Sequence, residues 1–258
     1  LIHDDWMDQD EMRRGGPSVH AIFRNTYGDA HLGDCVGILA GDLASTYAWE
    51  LMLRVPAPPG RGAELLERFL RIQKEVYCGQ HLDVTADADT DRMHDLKTGS
   101  YTVRGPLLLG GILGDASSEA LSALEAFGDP LGHAFQLRDD LLGTFGDQAS
   151  LGKPIGSDLR AGKRTALIFE AERALDEEGR KRLHALLGLA DPRRAEFGEA
   201  ELAEAMALLI RSGAKAAVER RLAAYLEQAE AALEGAGFGR EGAERLRGVA
   251  RSLAMRGR

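Results

Sequence analysis

The chain has 258 residues, 44% of them hydrophobic, so it is long enough to bury one large core. Its 41 acidic residues outnumber its 32 basic ones and give a formal net charge of −9. This balance excludes a general nucleic-acid or anionic-membrane binder, since both need a basic face. Anionic small substrates stay possible because bound metal ions reverse the local charge. No apolar run reaches the roughly 18–20 residues that span a bilayer, and two cysteines, Cys35 and Cys78, are too few for a disulfide framework. We predict a cytoplasmic protein with reduced thiols and no stable membrane insertion.

The first chemically distinctive segment is acidic and contains Asp4, Asp5 and Asp8. On a helix, Asp4 and Asp8 lie on one face with about 6 Å between their Cβ atoms, where like charges repel. A hard divalent ion such as Mg²⁺ removes that repulsion by bridging the two carboxylates and a diphosphate. The common alternative is a solvent-exposed acidic helix face, and this cluster alone leaves both interpretations open.

Two arginines, Arg13 and Arg14, follow the acidic segment by about one turn and precede Gly15-Gly16. Arginine suits bidentate contacts with phosphate oxygens. The alternative is a helix C-terminus whose carbonyl groups are complemented by the two cations. The spacing favours neither interpretation.

Helical periodicity dominates the rest of the chain. Apolar residues repeat at intervals of three and four across 65–77 and again across 218–233, which predicts amphipathic helices. Long alternating strand patterns are absent from the sequence, and Gly and Pro signals mark turns between helices. We predict an all-α protein, a single large helical bundle forming one domain over residues 1–258. The turn signals stand at 15–17, 56–60, 105–106, 129–130, 152–154 and 191–192.

A second acidic pair, Asp139-Asp140, lies inside an apolar helical stretch from Ala134 to Leu142. Two neighbouring charges among apolar residues are costly to bury unless something binds them. Two acid-rich helices far apart in sequence can face each other across a bundle, as in helical metal sites. Lys153 and Lys163 follow this pair and are candidates for diphosphate contacts, or else ordinary exposed loop charges.

Five segments in this order resemble the trans-isoprenyl diphosphate synthases, the polyprenyl synthetase family, and in product type geranylgeranyl diphosphate synthases. The resemblance covers residues 1–164, and the remaining third adds only compatible helical character. It implies a bundle around a central cavity. The segments are the acidic start with Arg13-Arg14, Gly79-Gln80 with Asp83, Lys97-Thr98, Phe135-Gln136 with Asp139-Asp140, and the run from Gly146-Asp147 through Gly152-Lys153 and Asp158 to Gly162-Lys163.

This resemblance implies a role for each matched residue. The implied metal ligands for Mg²⁺, with three ions when the allylic diphosphate is bound, are Asp4, Asp8 and Asp139, supported by Asp5 and Asp140. The implied diphosphate-binding residues are Arg13, Arg14, Lys97, Lys153 and Lys163, with Arg14 assigned to isopentenyl diphosphate. The implied catalytic residues near the carbocation are Lys97, Thr98 and Gln136.

The chain departs from the family pattern in two places. Gly143 stands where the second motif ends in Asp, so we expect weaker third-metal binding, with partial replacement by Asp147. The chain opens at Leu1 without Met, which we interpret as a fragment lacking its N-terminal helices. The stretch from Asp83 to Lys97 looks short, and we expect a missing loop near Asp91.

The resemblance implies an enzyme that condenses an allylic diphosphate with isopentenyl diphosphate, best fitted to the C20 product geranylgeranyl diphosphate. It also implies a homodimer. Two alternatives stay open at this stage. One is a class I terpene cyclase, which would cyclise a single substrate. The other is a non-catalytic subunit that regulates an active partner.

Overall fold

Helices make up nearly all of the chain in the computed structural model, which describes residues 1–85, 90–146, 155–160, 162–188 and 197–255. The all-α prediction is therefore confirmed. The elements are α1 (Ile2–Met7), β1 (Met12–Arg13), β2 (Gly16–Pro17), α2 (Val19–Tyr27), α3 (Ala30–Arg54), α4 (Gly62–Val84), α5 (Thr90–His94), a π-helix (Asp95–Arg104), α6 (Gly105–Leu113), α7 (Ser118–Phe145), α8 (Ser157–Arg160), α9 (Ala166–Ala174), α10 (Glu177–Leu187), α11 (Glu199–Arg211), α12 (Ala214–Ala232) and α13 (Arg240–Met255).

The predicted amphipathic stretches form helices as expected. Residues 65–77 lie within α4, and 218–233 nearly coincide with the second half of α12. The turn signal at 56–60 falls between α3 and α4, and the one at 15–17 forms the β1–β2 hairpin. The signals at 152–154 and 191–192, and the expected missing loop beside 86–89, lie outside the described residues.

The turn predicted at Asp129-Pro130 is wrong, because both residues lie inside the 28-residue helix α7. An interior proline removes one helical hydrogen bond and costs about 3 kcal/mol. Tertiary packing outweighs that cost, since Phe127 and Leu131 on either side are fully buried. The signal at Gly105-Pro106 is also misleading, since the proline occupies the first turn of α6, where its missing N–H is tolerated.

Helix α7 organises the core by packing against both α12 and the π-helix. Its first half joins a cluster with Val103 and Ala229, and its second half contributes Leu137 to a larger cluster built from α8 to α12. The acidic pair Asp139-Asp140 lies next to this larger cluster. The core thus holds the second acid-rich segment on a rigid helix.

Helix α3 is apolar around its whole circumference but covered on only one side. The covered side is a glycine stripe, Gly33, Gly37 and Gly41, which leaves no room for a Cβ atom against α2 and α1. Gly37, for example, lies so close to α2 that a Cβ atom would be 3.0 Å from the Cβ of His20. On other sides large apolar side chains face solvent, among them Leu39 (65% exposed) and Leu51 (67% exposed).

The π-helix lies between α4 and α7, and glycines on both neighbours bring the backbones together. A Cβ atom on Gly79 of α4 would lie 2.7 Å from Lys97 Cα, and one on Gly132 of α7 would lie 2.9 Å from Gly99 Cα. Real Cβ contacts are never that short, so these positions need glycine. The close approach places Lys97 and Thr98 at a fixed depth between the two helices. π-Helical turns occur often at functional sites.

Candidate active site

Lys97 lies where three segments of the chain meet. Its Nζ atom is 2.8 Å from Asp4 Oδ1 on α1 and 2.5 Å from Asp83 Oδ2 on α4. Burial would lower the pKa of Lys97, but its contacts with Asp4 and Asp83 outweigh burial and raise it. Lys97 is therefore a firmly charged cation, held between two carboxylates in a partly buried position.

Asp4 is the corresponding anion on α1. Burial would raise its pKa, yet the adjacent Lys97 outweighs burial, aided by the more distant Arg13, and the pKa lies below its usual value. Asp4 Oδ1 is buried and has no partner in good hydrogen-bond geometry, so its contact with Lys97 is a charge contact. One ammonium group thus compensates this carboxylate incompletely in directional terms.

Asp5 holds the hairpin against α1. Only 4% of Asp5 is exposed, and its Oδ1 accepts hydrogen bonds from Nε (2.6 Å) and Nη2 of Arg13. The hairpin makes this contact possible because Arg14 (φ +52°) and Gly15 (φ +80°) form its two-residue loop, and positive φ at both loop residues matches the twist of paired strands. Arg13 and Arg14 do not complement a helix C-terminus, because α1 ends at Met7. That alternative is wrong.

Asp8 lies just past the end of α1, with Oδ2 3.8 Å from Lys163 Nζ. Burial raises its pKa, and the nearby carboxylates Asp4 and Asp83 add to the rise beyond what Lys97 and Lys163 offset. The neighbourhood of Asp8 is short of positive charge.

The second acidic pair divides its work between its two members. Asp140 is 3% exposed, and its Oδ2 accepts from the backbone N–H of Ala166 at 2.9 Å while its Oδ1 accepts from Gln136 Nε2 at 2.8 Å. Asp140 thereby binds the first turn of α9 to α7. Gln136, expected beside the carbocation, is occupied by this hydrogen bond.

Asp139 remains accessible to solvent although protein surrounds it on most sides, as at the wall of a cleft. Burial raises its pKa to about 6, opposed by Arg138 and reinforced by the charges of Asp140 and Asp158. The Arg138 guanidinium donates to the backbone carbonyl of Leu253 and so connects α7 to α13.

The remaining predicted residues differ in placement. Arg14 is exposed at the tip of the hairpin, and Thr98 is half-buried next to Lys97 in the π-helix; neither has a hydrogen bond or ion pair to another described residue. Lys153 and Asp147 lie outside the described residues.

The structure adds residues to which the sequence reasoning gave no role. Asp83 holds Lys97, Gly79 and Gly132 set the depth of the π-helix, and Asp158 lies against Gly143. Asp83 belongs to a quoted segment, so its acidic character was visible, but its partner was not. The glycines give no chemical signal in a single sequence, because their role depends on a backbone 18 to 33 residues away.

The acidic residues fit a hard divalent cation in charge and donor type. Asp8 and Asp139 both have raised pKa values, which a nearby cation would reverse, and carboxylate oxygens are the donors that Mg²⁺ prefers. Within the described ranges, no three His, Cys, Asp or Glu side chains are close enough together to hold an ion. The convergence of Asp4, Asp8 and Asp139 on shared ions stays a prediction.

No described helix is long and apolar enough to cross a membrane. Cys35 and Cys78 are unpaired.

Comparison with known proteins assigns the chain to a family. The sequence profile described as "Polyprenyl synthetase" matches residues 1–206. A short chain isoprenyl diphosphate synthase of Methanocaldococcus jannaschii is 35% identical, covering 78% of this chain and 60% of its own length. A geranylfarnesyl diphosphate synthase of Aeropyrum pernix is 33% identical, covering 89% and 69%. The chain spans 60% and 65% of the first two curated relatives.

Solved structures agree with this assignment. A geranylgeranyl pyrophosphate synthase from Corynebacterium glutamicum, crystallised with isoprenyl diphosphate and magnesium, superimposes with a TM-score of 0.88 at 31% identity, covering 99% of this chain and 75% of that one. A geranylgeranyl pyrophosphate synthetase from Pyrococcus horikoshii gives a TM-score of 0.85 at 30% identity. These comparisons give no support to the terpene cyclase or regulatory-subunit alternatives. The profile match, the relatives and the fold together place this chain in the polyprenyl synthetase family.

Proposed function

We propose that this protein is a trans-prenyltransferase, which condenses an allylic diphosphate with isopentenyl diphosphate in a magnesium-dependent reaction. The named relatives are prenyl diphosphate synthases, and the structural neighbour from Corynebacterium glutamicum binds isoprenyl diphosphate and magnesium. The observation that carries the proposal is the bridge that Lys97 makes between Asp4 and Asp83. It brings three of the five matched segments to one point.

The chemistry requires a leaving group to be stabilised and a cation to be protected. The C–O bond at the allylic carbon breaks, the diphosphate takes both bonding electrons, and the double bond of isopentenyl diphosphate attacks the allylic carbon. Loss of a proton, taken up by the departed diphosphate, then gives the longer product. Lys97 and Lys163 supply positive charge beside the leaving oxygens, and preorganised charge of this kind lowers the barrier most.

Magnesium, held by Asp4, Asp8 and Asp139 and numbering three ions in the substrate complex, would neutralise the charge that develops on the diphosphate. Asp5 and Asp140 support these residues by fixing the hairpin and α9 in place. Arg13 is engaged with Asp5, so in this proposal it contacts diphosphate with the donors that Asp5 leaves free. Arg14 holds isopentenyl diphosphate from the hairpin tip, and Lys153 holds the allylic diphosphate. Thr98 and Gln136 place oxygen atoms near the carbocation.

For the product we propose geranylgeranyl diphosphate. Structures named geranylgeranyl pyrophosphate synthase are among the similar ones, although relatives with farnesyl and geranylfarnesyl names also match. Mass analysis of the alcohols released by phosphatase decides the chain length, and C15 or C25 as the main product would contradict this choice.

We also propose a cytoplasmic homodimer that pairs through α3 and α4. Apolar side chains on α3 face solvent, and α4 adds Leu70, Tyr77 and Val84, spaced by seven residues along one face. Trp49 of α3 meets Phe69 of α4 edge to face, with ring centroids 4.9 Å apart, so the two helices form one continuous surface. Exposed apolar surfaces of this extent mark interfaces.

Light scattering coupled to gel filtration tests the dimer. Leu39→Glu/Leu43→Glu on α3 should give a monomer at micromolar concentration, whereas Ile210→Glu, at an exposed apolar position on α11, should leave the mass unchanged. A monomeric wild-type protein would refute this part of the proposal.

The activity is tested by incubating the protein with radiolabelled isopentenyl diphosphate, an allylic diphosphate and Mg²⁺. Lys97→Met should lower kcat/KM by about a hundredfold to a thousandfold, since it removes one preorganised charge from the leaving group. Lys74→Met, an equal loss of charge at an exposed position on α4, is the matched control. Product formed from the allylic substrate alone would instead indicate a cyclase, and no turnover in the wild type would refute the proposed activity.

A further inference from the structure

Asp158 occupies the space that a side chain at position 143 would need. A Cβ atom built on Gly143 would overlap Asp158 Oδ2 and lie 2.7 Å from its Cγ and 3.3 Å from its Oδ1. Position 143 lies four residues beyond Asp139, on the same face of α7. The carboxylate that α7 lacks at position 143 is therefore present at that point in space, delivered from α8.

Asp158 is held in this position from both sides of its own short helix. The next residue, Leu159, is completely buried in the larger core cluster. Arg160 then donates to the backbone carbonyl of Phe197 at 2.8 Å and pairs with Glu199. A carboxylate presented by such an anchored segment has little freedom to swing away from α7.

Asp158 also connects the two acid-rich regions. Its backbone carbonyl accepts a hydrogen bond from the N–H of Lys163 at 2.9 Å, and the Lys163 ammonium reaches Asp8. The charge of Asp158 acts on Asp139 as well. The segment 158–163 thus lies between Asp8 at the end of α1 and Asp139 on α7.

We propose that Asp158 supplies the carboxylate missing at Gly143 and, with Asp139, holds the metal ion of the second acidic region. This inference rests on the proposed function for the identity of the ion, a divalent cation bound with diphosphate. It assigns to Asp158 the replacement role that the sequence suggested for Asp147. It also means that positions 143 and 158 share one space, so only one of them can carry a carboxylate.

Binding of Mn²⁺ in the presence of inorganic diphosphate, measured by calorimetry and by electron paramagnetic resonance of the free ion, tests the assignment without turnover. Asp158→Asn, which keeps the shape and removes the charge, should weaken one class of bound ion by about tenfold to a hundredfold. Glu178→Gln, an equal charge change at an exposed position on α10, should bind ions like the wild type.

The relocation variant Gly143→Asp/Asp158→Ala moves the carboxylate from α8 to α7 and should restore Mn²⁺ affinity to within about threefold of the wild type. Thermal unfolding in chelator checks that each variant is folded. Unchanged binding in Asp158→Asn overturns the inference, as does a loss that relocation fails to reverse or a loss confined to Asp147→Asn. A wild type without turnover but with these binding differences would refute the proposed activity and leave the inference intact.

Discussion

The two acidic pairs have the same sequence but different electrostatic states. In each pair the second aspartate is buried and holds structure: Asp5 binds Arg13, and Asp140 binds the start of α9. The first members differ. Asp4 lies beside Lys97 and has a lowered pKa, whereas the pKa of Asp139 is raised to about 6. The protein itself compensates the first site, while the second awaits a cation. A short acidic motif therefore does not define its own charge state; its neighbours do.

The largest expected effect concerns turnover, where the two sites should behave alike. Asp4→Asn and Asp139→Asn should each lower kcat by about a hundredfold to a thousandfold, because each removes a ligand for the ions that stabilise the leaving group. Steady-state assays at saturating Mg²⁺ measure the loss. Glu67→Gln, an exposed acid on α4, is the control. A loss at only one site would contradict shared participation in the reaction.

The next largest effect concerns the buried members. Asp140→Ala leaves the Ala166 N–H and the Gln136 amide without their acceptor and should lower the free energy of unfolding by about 2–3 kcal/mol. Urea unfolding measures the change. Asp140→Asn keeps one acceptor oxygen and should lose less. If Asp140→Ala were as stable as the wild type, its structural role would be refuted.

The sharpest contrast is a difference of sign in the metal-free protein. At pH 8 in chelator, Asp4→Asn should destabilise by about 1 kcal/mol, because Lys97 loses one of its two carboxylate partners. Asp139→Asn should stabilise by about 1 kcal/mol, a value reduced from the full pKa equivalent because solvent screens this accessible carboxylate. Two unfolding curves decide the matter, and shifts of the same sign would remove the distinction drawn between the sites.

The smallest effect is the pH dependence of that second shift. A carboxyl group whose folded pKa is raised favours folding in its protonated form, so its penalty is complete above about pH 6 and vanishes below about pH 4. The stability difference between Asp139→Asn and the wild type should shrink across this range as pH falls. Metal affinity of the wild type should weaken over the same range, since the ion requires the ionised carboxylate. A difference independent of pH would argue against a titrating Asp139.

Helix type and motif placement could be predicted from the sequence because they depend on local periodicity. The stretches 65–77 and 218–233 are regular enough to decide a helix, and the acidic pair at 139–140 was correctly placed on one. Pro130 misled because the burial of its neighbours in α7, which outweighs its local preference, depends on distant helices.

The contacts within the site could not be predicted, because they depend on long-range geometry. Nothing in the sequence indicates that Arg13 turns back to Asp5 through a hairpin with Arg14 in a left-handed conformation. The pairing of Lys97 with Asp83 crosses 14 residues and a change of helix type. Such partners follow from how helices approach one another, which one sequence does not specify residue by residue.

The close approach of Gly79 to the π-helix means that a purely steric change would have an electrostatic outcome. A methyl group at position 79 carries no charge and forms no hydrogen bond, yet it would displace the main chain of Lys97. The lysine side chain would move with it, and a shift of about 1 Å in a catalytic group can reduce turnover by about a hundredfold. A geneticist who found Gly79→Ala in a defective strain would see a conservative replacement, but the defect would be a misplaced positive charge.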